Sequence, residues 1–259
     1  KEGKINFLGV SKQRTRCYLY FDKKETDTIH VSFGDIEVKR TTPDFSKIAE
    51  FDEGIYKFSD PVYGGDSYYW RGAVTNNHLI FANKCWRIVR VNGDGTTRLI
   101  YNGSVKSGST CAGNGTNSES VIMGSTDSEK YYATSDGKND NPSYVGWTFT
   151  LGSQRTLSGT ASNAKIQTEK WYNANITGTY ANKVADGKFC NDRNIRPGYS
   201  WTSQPSSTFY YAGYDRTGVK GTTSVMPTLE CNSGDVYNLK VGAITADEIV
   251  MAGSLYNTR

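Results

Sequence analysis

Apolar and polar residues alternate with a period of two along much of the chain, a pattern that predicts strands more often than helices. In residues 1–40 the alternation runs through INFLGV, RCYLYF and TIHVSF, and a Gly-Asp turn leads into IEVKR. These runs predict a β segment with too few strands to form a stable sheet alone. TTPDFSKIAEFDEG, residues 41–54, adds a proline and a cluster of charges, which predicts a linker or a short helix between modules. From Ile55 the strand pattern tightens in GIYKF, SYYWRGAV, HLIFANKCWRIVRV and TTRLIY. Residues 55–259 are therefore expected to form the main domain. Between the last two runs, Asn92-Gly93-Asp94-Gly95 predicts a tight hairpin with its glycines at positive φ.

A helical period appears in two places. SNAKIQTEKWYNANI, from Ser162 to Ile176, predicts a helix capped by Ser162, with Ile166 and the Trp171-Tyr172 pair as its apolar edge. ITADEIVMAG holds a T-x-x-E capping box in Thr245 and Glu248, a buried side of Ile249, Val250 and Ala252, and a closing glycine in Gly253. From Gly103 to Asn141 the chain is rich in Ser, Gly, Thr and Asn and predicts a long surface excursion held at Cys111. The pattern as a whole is that of a β-rich α+β protein with long loops and two short helices.

Composition supports that class. The chain has 259 residues, 36% of them hydrophobic, with a mean hydropathy of -0.59, 18 Tyr and 27 Gly but only 6 Pro. This balance favours a turn-rich β protein over a helical bundle. A net charge of +4 from 30 basic and 26 acidic residues, interspersed along the chain, gives no footprint for nucleic acid. No run of about 18 apolar residues predicts a transmembrane segment, and KEGKINFLGV lacks the apolar region of a secretory signal. Cys17, Cys85, Cys111, Cys190 and Cys231 are widely spaced, which fits disulfides in an oxidising compartment better than a zinc site.

Little in the sequence points to catalysis. The histidines His30 and His78 lie in or beside alternating runs and read as structural, and no GxSxG, HExxH, Walker or dinucleotide fingerprint is present. Asp60, Asp66, Glu169, Asp192, Asp247 and Glu248 are candidates for a glycosidase pair only as any acid would be. Asp247 and Glu248 also suit the first turn of a helix. The NGDG turn is too short and wrongly spaced for calcium, whereas Asp136-Gly-Lys-Asn-Asp-Asn141 offers oxygen ligands for that ion. Apart from that calcium candidate, no cofactor is expected. Trp201, Tyr210, Tyr211 and Tyr214 stand among small polar residues, where aromatic faces can stack on sugars or serve a β core. Asn102, Asn114 and Asn175 begin glycosylation sequons.

The succession YYWRGAVTNNHLIFANKCWRIVRVNGDGTTRLIYNG, TCAGNGTN, NPSYVGWTF, KWYNANI, KFCNDR and VGAITADEIVMAG resembles a widespread, largely uncharacterised family of exported proteins of Gram-positive bacteria. The resemblance covers roughly Ile55 to Gly253 and implies a C-type-lectin-like core, related to formylglycine-generating-enzyme-like domains. It also implies an extracellular or cell-surface location and no established chemistry. Family members often carry cysteines at these positions, and the resemblance implies the pairs Cys85 with Cys111 and Cys190 with Cys231, a choice the spacing alone leaves open among fifteen. Cys17, in RCYLYFDKK, resembles the end of a preceding Ig-like β module whose partner cysteine lies upstream.

The chain departs from the family pattern at two points. The cooperating cysteine pair and copper site of the oxidase branch are not reproduced. The family also continues past the ITADE helix into strands with a YW-x-x-SP-like motif, where this sequence ends at SLYNTR. A fragment, processing after Arg259, or strands supplied by another chain would each account for that ending. The resulting expectation is a non-enzymatic surface protein acting in adhesion or as a subunit of a surface assembly, with other protein subunits or host and cell-surface glycans as partners. A carbohydrate-binding lectin-like receptor is the alternative, and a hydrolase or oxidase stands third.

Overall fold

A computed structural model of the chain describes residues 38–106, 111, 161–190, 216–217, 225–231 and 233–254. Among the described residues 38% are in strands and 23% are helical, which makes the protein sheet-rich with few short helices. Of the β segment expected in residues 1–40, only residues 38–40 fall inside the described residues, and Val38–Lys39 form a strand there. The contacts divide the chain into two compact units.

The first unit contains a six-stranded sheet with β1 (Val38–Lys39), β2 (Asp52–Asp60), β3 (Gly65–Gly72), β4 (His78–Phe81), β5 (Lys84–Val91) and β6 (Thr97–Ser104). β1 lies parallel to β2, and every other pair is antiparallel. β5 is the hub. One of its edges carries β6, paired from Lys84 opposite Ser104 to Val91 opposite Thr97, with register shifts between Lys84 and Trp86 and between Ile88 and Arg90. A strand has two edges, so the remaining one is shared: Lys84–Arg87 pair with β4, while Arg90–Val91 pair with β3.

Period-two alternation sorts the side chains onto two faces. Ile55, Trp70, Val74, Leu79, Ile88 and Val91 are buried together, with Val38, Tyr68, Phe81, Trp86 and Leu99 packed against them. Residues 41–51, read from the sequence as a linker or a short helix, form neither helix nor strand, yet Phe45 and Ala49 are buried. Phe45 meets the Phe58 ring edge-on.

The run HLIFANKCWRIVRV is two strands rather than one. The chain reverses at Ala82 and Asn83, both at positive φ (51° and 55°), the twist that suits a two-residue hairpin. At the next hairpin the sequence expectation needs correction. Gly95 alone of the two turn glycines takes positive φ (84°). Gly93 is small for another reason: a Cβ there would stand 3.0 Å from the Gly65 backbone. Asp94 closes this turn by accepting from the Thr96 amide (2.9 Å) and hydroxyl (2.6 Å).

The second unit holds α1 (Asn163–Asn175), a hairpin of β7 (Gly187–Cys190) and β8 (Val236–Leu239), and the start of α2 (Ala246–Met251). Ser162 caps α1 as expected, its hydroxyl accepting from the Lys165 amide at 3.1 Å. Ile166 is not on a buried edge, being 43% exposed; Ala164 and Ile176 are the buried apolar residues at the two ends of α1. The α2 capping box forms in full, with the Thr245 amide donating to Glu248 Oε2 (2.9 Å) and the Glu248 amide donating to Thr245 Oγ1 (3.1 Å). Val250 is buried as expected, but Met251 takes the place foreseen for Ala252, which is exposed. Among the described residues no helix is long and apolar enough to cross a membrane.

Candidate functional site

The face of the sheet opposite its aliphatic core concentrates the buried polar chemistry of the first unit. Tyr56 pairs with Tyr69 across β2 and β3, Tyr69 pairs with Arg90 across β3 and β5, and the two tyrosine rings stack at 5.9 Å. Asp60, at the end of β2, is fully buried. Its carboxylate accepts from the Ser67 hydroxyl at 2.5 Å and from the Tyr63 amide at 3.4 Å, and it lies 3.4 Å from Arg90 Nη1. The Arg90 guanidinium also sits over the Tyr63 ring, 5.4 Å from its centroid.

Arg71, at the end of β3, is 1% exposed. Its Nε donates to Glu53 at 2.7 Å, Nη1 to the Met251 carbonyl at 3.3 Å, and Nη2 to the carbonyls of Asp44 (3.2 Å) and Lys47 (2.9 Å). The fixed fork of a guanidinium suits such a junction, because its donors reach four acceptors from three separate segments. Beside it, the Gly72 amide donates to the Ala252 carbonyl and the Ala49 amide to the Gly253 carbonyl, both at 2.9 Å. Gly72 has φ +90°, and a Cβ there would fall 1.9 Å from the Phe51 carbonyl oxygen, so only glycine fits.

In their chemistry these groups are directed at one another. The Asp60 carboxylate is occupied by a hydroxyl, an amide and a cation, so it is placed to hold the end of the β2–β3 pair together. The Tyr69 hydroxyl is buried with no hydrogen-bond partner among the described residues. Burial raises its pKa far above that of an ordinary phenol against the opposing pull of Arg71, so the ring stays neutral and is no base.

The second unit has one comparable junction among the described residues. Asp247 accepts from Arg216 through both carboxylate oxygens, from Nε at 3.1 Å and Nη2 at 3.0 Å, and also from the Thr228 amide at 2.9 Å. An acid suited to the first turn of a helix on electrostatic grounds is thus also a bidentate anchor. In the same unit, Gly242 leaves room for the Phe189 ring, which a Cβ would meet at 2.4 Å.

The residues singled out from the sequence fall in different places. Cys85 is joined to Cys111 (Cα–Cα 5.6 Å) and Cys190 to Cys231 (Cα–Cα 5.9 Å), the same two pairs that the family resemblance implies. Trp201, Tyr210, Tyr211, Tyr214, Asp192, His30, Asn114 and the calcium candidate at 136–141 lie outside the described residues. Of the other acids, Asp66 pairs with Lys57 at 2.5 Å and Glu169 pairs with Lys165, while Glu248 serves the α2 cap. Asn102 is buried in β6 with Nδ2 enclosed, so the folded chain closes that sequon to a glycan. The Asn175 side-chain Nδ2 donates to the Trp171 carbonyl at 2.8 Å.

His78 begins β4 opposite Arg87 of β5. Its Nε2 is buried with no hydrogen-bond partner among the described residues. Burial, and then the Arg87 charge, push the imidazole below its ordinary pKa of 6.5. Among the described residues no three of His, Cys, Asp and Glu converge as metal ligands would. The junctions at Arg71 and Arg90 are poorly marked in the sequence. The only signal for either is an arginine inside an otherwise apolar strand pattern, at Arg71 in SYYWRGAV and Arg90 in CWRIVRV.

No family model matches this chain, and no curated protein or solved structure matches it either.

Proposed function

We propose that this chain belongs to a non-enzymatic extracellular surface protein of a Gram-positive bacterium, acting in adhesion or as a subunit of a surface assembly, with a C-type-lectin-like core. The pair of disulfides is the observation that carries this reading. One ties the fully buried Cys85 of β5 to Cys111 across 26 positions, and the other ties the end of β7 to Cys231 across 41. Bridges of that span persist in oxidising compartments and are rare where thiols are kept reduced. The arginine junctions add support, since Arg71 and Asp247 hold backbone segments together, and the Asp60 carboxylate with its partner Ser67 is fully buried at the end of the β2–β3 pair.

The test is made on intact cells of the source organism. Brief protease treatment should release peptides of this chain while cytosolic markers stay inside, and cross-linking before lysis should shift it into higher-mass species with other surface proteins. Retention of the whole chain within protease-treated cells overturns the reading, as does turnover of a substrate by the purified protein.

A further inference from the structure

β4 is a four-residue strand that covers half of one edge of β5, and its two ends are held very differently. At Phe81 the hold is aromatic: the ring meets Trp86 and Tyr180 edge-on, and Trp86 Nε1 donates to the Phe81 carbonyl at 2.9 Å. Leu79, mid-strand, is buried in the core. At His78 the hold is polar. The Asn77 amide group donates to the Ile88 carbonyl (3.0 Å), the Ile88 amide donates to the Asn77 carbonyl (2.7 Å), and Arg87 Nη2 donates to the Val74 carbonyl (2.9 Å). Arg87 also reaches Asn77 Oδ1 from Nε and Nη2, each at 3.4 Å.

His78 is placed within this polar end with a cation directly opposite and its Nε2 enclosed. Its cross-strand partner Arg87 adds its positive charge to the effect of burial on the imidazole. On the same face of β4 and β5 stand Ile80 and Cys85, and beyond Arg87, on β6, stands Ile100. The other described charges on these elements are cationic. Lys84 lies at the far end opposite Phe81, Arg98 of β6 lies opposite Arg90, and Lys183 ends the 3-10 turn that carries Tyr180. A proton added to His78 therefore places a second positive charge opposite Arg87, on a half-buried imidazole whose Nε2 is enclosed.

We propose that His78 is an acid-sensitive latch: protonation loosens the His78 end of β4 from β5 and uncovers the Trp86–Arg87 part of that edge of the hub strand. The direction follows from linkage. The folded imidazole titrates below its unfolded value of 6.5, so the unfolded strand binds more protons, and the hold on β4 falls as pH drops below about 6.5. The Phe81 end keeps its aromatic contacts, which makes the opening local rather than global. An uncovered strand edge is a template for pairing with another strand.

Amide exchange on the full chain tests the latch, with protection factors corrected for intrinsic exchange at pH 7.5 and pH 5.0. Protection of the β4–β5 pairs His78/Arg87 and Leu79/Trp86 should fall by more than about twofold at the lower pH relative to the β2–β3 pairs. In His78→Gln, which cannot take up the proton, the ratio should change less than about twofold over the same interval. The wild-type imidazole, followed by its ring proton signals, should titrate below 6.5, a readout that stands even where the variant folds poorly. Equal loss of protection in both proteins, unchanged protection in the wild type, or an imidazole midpoint at or above 6.5 would each overturn the proposal.

Discussion

Arg71 Nε donates to Glu53 Oε2 at 2.7 Å from a guanidinium that is 1% exposed, and the same group gathers the carbonyls of Asp44, Lys47 and Met251. Removing one partner of such a pair strands the remaining polar groups away from water, which is costlier than the pair's own net attraction. Arg71→Met is expected to destabilise the first unit by about 3–5 kcal/mol. Glu53→Gln should cost less, because the Glu53 side chain keeps 34% of its surface in solvent. Urea unfolding followed by the amide signals of β2 and β3 measures both, and equal small losses would contradict the junction.

Two glycines at positive φ separate backbone strain from steric exclusion. Gly64, with φ +73°, has nothing within 4 Å of the position an added Cβ would take, whereas at Gly72 that atom would meet the Phe51 carbonyl. Gly64→Ala is expected to cost about 1 kcal/mol from the left-handed conformation alone. Gly72→Ala should prevent the 49–54 segment from docking on β3 and cost several times as much. The two urea midpoints, compared with wild type, decide the matter.

The exposed Asp44 offers a local pH marker. A hydrogen bond from the Ser46 hydroxyl, then contact with Lys47 and the Ser46 amide, lower its carboxyl to about 2 from the usual 3.8. The folded value lies below the unfolded one, so these contacts are fully present above pH 3.8 and are lost as pH falls through about 2. A carboxyl titration by nuclear magnetic resonance should find that low midpoint, and Ser46→Ala should move it upward.

At α2 the capping box predicts that Thr245→Ala costs about 1 kcal/mol. The loss leaves the Glu248 amide without its 3.1 Å acceptor. Asp247→Asn should cost more, because it removes the charge from a bidentate pair with Arg216. Thermal unfolding of the two variants checks the order.

Much of the scaffold was legible because it depends on local chemistry. Ser162 and the Thr245–Glu248 pair announce helix starts through side chains that bond their own backbone, and period-two alternation exposes β2, β3 and β6. The Ala82-Asn83 reversal was hidden because neither residue is glycine and the alternation continues on both sides of it. Gly93 was legible as a turn residue, but its contact with Gly65 depends on a partner 28 positions away. The junctions at Arg71, Asp60 and Asp247 were hidden for the same reason, since each is assembled from segments that only folding brings together. Exposure of Ile166 and burial of Met251 likewise follow from which neighbours arrive, a choice that helical period alone does not make.

Both disulfides close long loops, and in the chain-entropy view each contributes about 3–4 kcal/mol. A surface location requires that both form in the compartment where the protein works. The most direct test is peptide mapping of protein taken from the source cells with free thiols alkylated at the moment of lysis. Cys85 linked to Cys111 and Cys190 linked to Cys231, in the fraction released from the cell surface, is the predicted result; all four recovered as alkylated thiols from the cytosol would contradict it.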